Sequence, residues 1–144
     1  IPNPYSHAEH TVYESNVMTS YHVLEAAAAL GIESVCLASS INAVGWTFQN
    51  PPPDIRYLPV DENNPTTPRE PYGIGKRVLE VTADGFGRAE GPPRTVSSLR
   101  FTTVLDGEQI RSRYVDGDRS LPAIAVGPVL SIDTRGGTYL RPPR

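Results

Sequence analysis

One tyrosine and one lysine stand four residues apart near the middle of the chain. Tyr72 and Lys76 lie in the stretch EPYGIGKRVLE, and Lys76 is the only lysine in a chain of 144 residues. A phenol with an ordinary pKa of about 10 is a poor acid–base at neutral pH, and a nearby ammonium favours its ionised form. The pair therefore predicts a tyrosine that exchanges a proton with a substrate hydroxyl or carbonyl.

Two consecutive serines precede this pair in the chain. Ser39 and Ser40 end the apolar run SVCLASS, which is typical of a strand that is buried on both faces in a parallel sheet. Ligands bind at the carboxyl ends of such strands, where a serine hydroxyl could hold the reacting oxygen and the lysine could bind a ribose. Tyr-x-x-x-Lys alone also fits an ordinary helix start with an exposed Lys76, and the serine pair strengthens the catalytic interpretation.

The elements that must position these residues begin with a long helix. We predict that a capping box of Ser6 and Glu9 starts this helix and that Gly31 ends it. Its predicted apolar face repeats at three- and four-residue spacing. The face comprises Tyr13, Val17, Tyr21, Leu24 and Ala28.

A second helix begins near Pro71, after a loop of about 30 residues that contains three consecutive prolines. The segment TVSSLRF predicts another strand. Strands that alternate with helices indicate an α/β fold, here a partial Rossmann-type, doubly wound parallel sheet with helices on both faces. After Thr102 the pattern fades, and LPAIAVGPVLSIDTRGG is either one more strand or an irregular tail.

Composition excludes several classes of partner. The net charge of −3 argues against nucleic acid and against an acidic membrane surface, and we see no apolar run of the roughly 20 residues that span a bilayer. The one cysteine, Cys36, is predicted to be buried and inert, and a cytoplasmic location is predicted. His7 and His10 are predicted to lie on a solvated helix face rather than to bind metal.

These motifs occur together in one known family. The stretch NVMTSYHVLEAAAALGIESVCLASSINAVG and the later stretch LPVDENNPTTPREPYGIGKRVLE resemble the extended short-chain dehydrogenase/reductases, the NAD-dependent epimerase/dehydratase family. The resemblance implies that residues 1–104 are the central part of an NAD(P)-binding Rossmann-type domain with catalytic residues. Residues 105–144 would be a short or degenerate C-terminal segment.

The resemblance assigns roles to five residues. It makes Tyr72 the catalytic acid–base, Lys76 a ligand of the nicotinamide ribose that also lowers the tyrosine pKa, and Ser40 the catalytic Ser/Thr. Asn16 and Ser39 would lie at the cofactor, which would be NAD or NADP. The plainer alternatives are a solvent-facing Asn16 in mid-helix and a Ser39 hydroxyl bonded to backbone.

The sequence also departs from the family pattern. The GxxGxxG turn that binds the cofactor pyrophosphate does not precede Ile1, so we expect a fragment that lacks this N-terminal segment. The usual tyrosine before Gly45 is absent, and Ile41 and Asn42 stand where a dehydratase would add a glutamate. The missing tyrosine and the residues Ile41 and Asn42 favour a simple dehydrogenase or reductase.

The predicted function is that of an NAD(P)-dependent oxidoreductase or epimerase. It would act on a hydroxyl or carbonyl of a sugar or sugar derivative by hydride transfer, with Tyr72 as the acid–base. The alternative is a truncated, catalytically inactive remnant or binding module of the same family. The predicted partner is a small sugar-type substrate, and a homodimer is left open.

Overall fold

A computed structural model describes residues 4–58, 60–102, 111 and 130–133, the last of these in backbone only. The described elements, in chain order, are α1 (Glu9–Ala29), β1 (Ser34–Ser40), a short 3-10 turn (Ile41–Ala43), α2 (Pro71–Arg88), β2 (Thr95–Phe101) and β3 (Leu130–Asp133). The predicted order of helix, strand, long loop, helix and strand is confirmed. None of the described helices is long and apolar enough to cross a bilayer.

The strands form one sheet in the order β1, β2, β3. β1 and β2 pair in parallel over their full lengths, from Ser34 opposite Thr95 to Ser40 opposite Phe101. β3 pairs with the other edge of β2 and runs antiparallel. The sheet is therefore parallel at β1 and β2, as predicted, and the segment that was predicted to be either a strand or an irregular tail contains the antiparallel strand β3. Parallel sheets commonly carry such an antiparallel edge strand.

The start of α1 differs from the prediction. The helix begins at Glu9 with Ala8 as its N-cap, and no side chain caps it. The predicted capping box is wrong because the helix starts two residues later than an N-cap at Ser6 requires. The end is as predicted, since Gly31 has a φ of +70° and the amides of Gly31 and Ile32 reach back to carbonyls of the last helical turn.

The buried face of α1 is rotated from the predicted one. It comprises Val12, Asn16, Ser20, Leu24 and Ala27. Tyr13 and Tyr21, which were predicted to be buried, are 39% and 41% exposed. Small and short side chains face inward because α2 approaches closely: a Cβ on Gly75 would lie 3.5 Å from Cβ of Asn16.

The hydrophobic core lies between the two helices and one face of the sheet. It comprises Leu24, Leu37, Leu79, Ala83 and Val96. The helices pack against each other, so both lie on this face, and Ser34, Cys36 and Ala38 of β1, which point away from it, are exposed. Cys36 is one of them, and its predicted burial is wrong: strand side chains alternate between faces, and the described helices cover only one.

Two glycines of α2 have opposite surroundings and provide a matched pair for substitution. A Cβ on Gly73 would collide with the Asn42 carbonyl oxygen and the Glu70 carboxylate, whereas a Cβ on Gly85 would meet nothing within 4 Å. We expect Gly73→Ala to lower the free energy of unfolding by about 1–3 kcal/mol through overpacking. Gly85→Ala should raise it by about 0.5–1 kcal/mol, because alanine loses less backbone entropy in a helix.

Urea unfolding followed by circular dichroism would measure both changes. Midpoints that move in the same direction for the two variants would contradict the close packing at Gly73.

Candidate active site

The first turn of α2 fixes the position of Tyr72. Pro71 occupies the first helical position, where its missing N–H costs nothing. The Glu70 carboxylate caps the helix by accepting hydrogen bonds from the backbone amides of Tyr72, at 2.8 Å, and Gly73. The Tyr72 side chain is buried, and the ring of Phe48 packs edge-on against it with 6.0 Å between centroids.

Lys76 lies one helical turn after Tyr72, on the same side of α2. Its Nζ donates a hydrogen bond of 2.7 Å to the carbonyl oxygen of Ala38, in the strand that ends at Ser40. It lies 5.6 Å from the centroid of the Tyr72 ring. Burial lowers the pKa of Lys76. An ammonium has three donors, so two remain for a ligand.

Ser40 ends β1 and begins the 3-10 turn. It is buried, and its Oγ accepts hydrogen bonds from the backbone N of Asn42 at 3.2 Å and from Asn42 Nδ2 at 3.3 Å. Its hydroxyl also lies close enough to the phenol of Tyr72 to affect the tyrosine pKa by hydrogen bonding. The structure therefore brings together Tyr72, Lys76 and Ser40, the three residues that were predicted to be catalytic.

The pKa of Tyr72 is raised above its ordinary value. Burial is the largest cause, hydrogen bonding by Ser40 acts in the opposite direction, and the nearby charge of Glu70 raises it further. The predicted lowering by Lys76 is therefore wrong in net direction. Loss of phenolate hydration sets the direction, and Lys76, whose ammonium is hydrogen-bonded to the Ala38 carbonyl, is not among the causes of the shift.

Ser39 points away from this group. Adjacent strand residues face opposite sides, and Ser39 donates a hydrogen bond of 2.7 Å to Oε1 of Glu80. Glu80 also accepts two hydrogen bonds from Arg100, at 2.7 and 2.8 Å, and both side chains are almost fully buried. Ser39 is thus part of a buried ion-pair network. Its hydroxyl donates to a side chain rather than to backbone, and Ser39 does not line the cleft described next.

Asn16 is buried, so the alternative of a solvent-facing residue is wrong. Its Nδ2 donates a hydrogen bond of 2.8 Å to the Val12 carbonyl in the preceding turn. It borders a cleft of about 220 Å³ between α1, α2 and β1. The polar side chains that line this cleft are Ser15, Asn16, Thr19, Ser20 and Lys76. Asn16 and Lys76, from different helices, therefore share one concave surface.

The cleft is small and partly polar. Small-molecule pockets usually measure about 300–1,000 Å³, and this one is smaller. Its hydroxyls, its amide and the free donors of Lys76 suit a ribose. The N-terminus of α2 is filled by its own Glu70 carboxylate and is not open to a phosphate. Neither described helix follows a glycine-rich turn.

The sequence pattern missed two parts of the site. Asn42 was singled out only for not being a glutamate, although an asparagine two residues after a strand-end serine is well placed to bond it. Glu80 lies on the buried side of α2 with Tyr72, and no feature of the sequence indicated its buried partner Arg100, which lies on β2. His7 and His10 are exposed, and the described residues contain no group of three or more potential metal ligands.

Comparison with known proteins shows which class of protein has this arrangement of residues. A family model described as NAD dependent epimerase/dehydratase family matches residues 4–109. The chain is 33% identical over 98 residues to dTDP-6-deoxy-L-talose 4-dehydrogenase (NAD(+)) of Aggregatibacter actinomycetemcomitans, covering 68% of this chain and 33% of that protein.

Solved structures agree. A short-chain dehydrogenase/reductase superfamily protein of Agrobacterium tumefaciens with bound NAD matches with a TM-score of 0.57 at 28% identity, covering 70% of this chain and 29% of that one. An NAD-dependent NDP-hexosamine 5,6-dehydratase of tunicamycin biosynthesis matches with a TM-score of 0.51 at 25% identity, covering 67% and 31%.

The fold is therefore of the Rossmann type found in short-chain dehydrogenase/reductases, as predicted. The chain belongs to the NAD dependent epimerase/dehydratase family, which confirms both the resemblance and the predicted nicotinamide cofactor at the level of the family. It spans about a third of the length of the curated relatives that it matches.

Proposed function

We propose that this chain carries the proton-transfer part of an NAD-dependent enzyme that acts on a hydroxyl or carbonyl carbon of a nucleotide-linked sugar. The convergence of Tyr72 and Lys76 on the end of β1, at Ser40 and the Ala38 carbonyl, is the observation that supports it most directly. The names of similar proteins, a dTDP-deoxysugar dehydrogenase and an NDP-hexosamine dehydratase, support the substrate class.

The three side chains take different roles in this proposal. The raised pKa keeps Tyr72 protonated at neutral pH, so it can donate to a carbonyl oxygen that is being reduced, and its phenolate takes the proton back in oxidation. Ser40 hydrogen-bonds the Tyr72 phenol and stabilises its ionised form. Lys76 and Asn16 would hold the nicotinamide ribose in the cleft. When bound, the cofactor supplies the hydride acceptor or donor.

The residues after Ser40 favour oxidation, reduction or epimerisation over dehydration. A dehydration needs a further acid–base beside the reacting carbon. Ile41 has no titratable group, and the Asn42 amide neither gains nor loses a proton near neutral pH. We therefore propose a dehydrogenase, reductase or epimerase.

A second candidate is a non-catalytic remnant or binding module of the family. The small volume of the cleft and the occupied N-terminus of α2 support it, because these described features do not hold a whole dinucleotide. A homodimer and a cytoplasmic location stay predictions, as does the absence of nucleic-acid and membrane partners.

Titration with NADH separates the two candidates. We expect enhanced NADH fluorescence with a dissociation constant in the micromolar range, and Lys76→Met should weaken binding about tenfold or more, because a hydrogen bond from a charged group contributes about 1.5–3 kcal/mol. The matched control is Arg88→Met, which removes an exposed cation from the last turn of α2 and should leave affinity unchanged.

An absence of binding up to millimolar NADH would favour the second candidate. Equal affinities for the Lys76 and Arg88 variants would contradict the role of Lys76 at the ribose.

A further inference from the structure

Asn42 is a buried polar residue in the 3-10 turn directly after Ser40. It bonds the Ser40 hydroxyl twice, and none of the roles assigned above depends on it. We propose that Asn42 is a positioning residue that fixes the direction in which Ser40 donates its hydroxyl proton.

The orientation of the Asn42 amide follows from its two neighbours. The backbone N of Thr47 lies 2.9 Å from one terminal atom of the amide. A backbone N–H can only donate, so that atom must be the oxygen Oδ1. Nδ2, which can only donate, then faces Ser40 Oγ at 3.3 Å. The Thr47 amide thereby excludes the flipped arrangement, in which Asn42 would accept the serine proton.

Two donors converge on the oxygen of Ser40. The backbone N of Asn42 donates at 3.2 Å and Nδ2 at 3.3 Å. A hydroxyl oxygen has two acceptor lone pairs and one proton. With both lone pairs taken, the proton must point elsewhere, and the phenol oxygen of Tyr72 is the neighbour that its hydrogen bonding affects.

The consequence is a directed chain from Asn42 through Ser40 to Tyr72. Neutral Tyr72 accepts from Ser40 and keeps its own proton for an external oxygen. Ionised Tyr72 is stabilised by the same donor. Among the residues that the structure describes, the charged groups near Tyr72 are Glu70 at the start of α2 and Lys76 one turn on, and changes at Asn42 leave both in place. The catalytic role of this series of hydrogen bonds rests on the proposed function, but the direction of the Ser40 proton does not.

The decisive variant is Asn42→Asp, which keeps size and shape. One carboxylate oxygen still accepts from Thr47, and the other now faces Ser40 and can only accept. The serine proton should turn from Tyr72 to the carboxylate. We expect the pKa of residue 72 to rise by about one pH unit, since the lost hydrogen bond contributes about 0.5–1.5 kcal/mol and one unit equals 1.36 kcal/mol.

The measurement uses 3,5-difluorotyrosine in place of Tyr72, whose phenol ionises near neutral pH, and ¹⁹F NMR of the full chain. The probe sits at one position, so the other six of the seven tyrosines contribute no signal. Fluorescence of Trp46, the one tryptophan, reports whether the turn beside Asn42 is intact.

The added charge of aspartate raises the same pKa through space, and Ser40→Ala separates the two effects. In a Ser40→Ala background only the charge remains, so Asn42→Asp should raise the pKa by clearly less than it does with Ser40 present. Equal rises in the two backgrounds would overturn the proposal. If Asn42→Asp does not fold, Asn42→Ala replaces it, and a pKa of residue 72 that does not change would overturn the proposal equally.

This test needs neither cofactor nor substrate. A chain that fails to bind NADH would refute the proposed function and leave the Asn42 result valid. In a preparation that turns over, Asn42→Asp should shift the pH profile of kcat with KM nearly unchanged, which a purely structural role would not do.

Discussion

Replacement of Glu80 with alanine is expected to lower the free energy of unfolding by about 3–5 kcal/mol. The change leaves the Arg100 guanidinium, which is 1% exposed, without its carboxylate partner. An unpaired buried charge loses its hydration and gains nothing in return. Because native domains are stable by only about 5–15 kcal/mol, the loss would remove a large share of the total stability. Urea unfolding followed by circular dichroism measures it.

The control lies on the same helix. Asp84 pairs with Arg88 at 3.5 Å on the surface, where the arginine side chain is 72% exposed. Asp84→Ala should cost less than about 1 kcal/mol. A double variant, Glu80→Leu with Arg100→Met, removes both charges and should recover most of the lost stability. Equal losses for Glu80→Ala and Asp84→Ala would show that the buried pair is not a critical contact.

The position of this ion pair links stability to the site. Glu80 belongs to α2, which carries Tyr72, and bonds Arg100 of β2 and Ser39 of β1, the residue before Ser40. The network therefore joins α2 to the carboxyl ends of both parallel strands. Loss of Glu80 should loosen the contact between Tyr72 and Ser40 even in molecules that stay folded.

The second large effect is expected for Tyr72→Phe, which should lower turnover by about 10²–10⁴-fold while NADH affinity stays nearly the same. The change removes only the hydroxyl, and the ring keeps its packing against Phe48. The assay is hydride transfer between NAD and a nucleotide-linked sugar, followed by NADH absorbance in a preparation that turns over. Full activity in this variant would remove Tyr72 from the mechanism.

A matched tyrosine and a pH profile sharpen this test. Tyr57 is exposed, and its hydroxyl bonds Asp61 in the loop, so Tyr57→Phe should leave turnover unchanged. Burial favours the protonated form of Tyr72, whereas oxidation of a substrate hydroxyl needs the phenolate as the base. For the wild type, kcat/KM for oxidation should therefore keep rising with pH through neutrality, without a plateau below a pH of about 10. The rise should vanish in Tyr72→Phe.

Local pattern predicted much of this site. Residues four apart on a helix share a face, so Tyr72 and Lys76 had to lie together once α2 formed. A serine at the end of a buried parallel strand had to reach the ligand-binding edge of the sheet. The side of α2 that carries Tyr72 also carries Leu79 and Glu80 and faces the core. These features depend on backbone geometry alone.

Other features depended on contacts between distant elements. Two neighbouring serines look alike in the sequence, and only strand alternation against α2 sends Ser39 to Glu80 and Ser40 to Tyr72. Close approach of α2 selected the small-residue face of α1 over its tyrosines. Arg100, the buried partner of Glu80, lies on β2, and no helical spacing reveals that contact.

By itself, the sequence determined the family, the order of the elements and the pairing of Tyr72 with Lys76, because these follow from motif and helical period. Only the tertiary structure decided the direction of the tyrosine pKa, the separation of the two serines and the contacts of Asn42. Burial and hydrogen-bond direction depend on which distant atoms surround a group, and packing of the whole fold sets those surroundings.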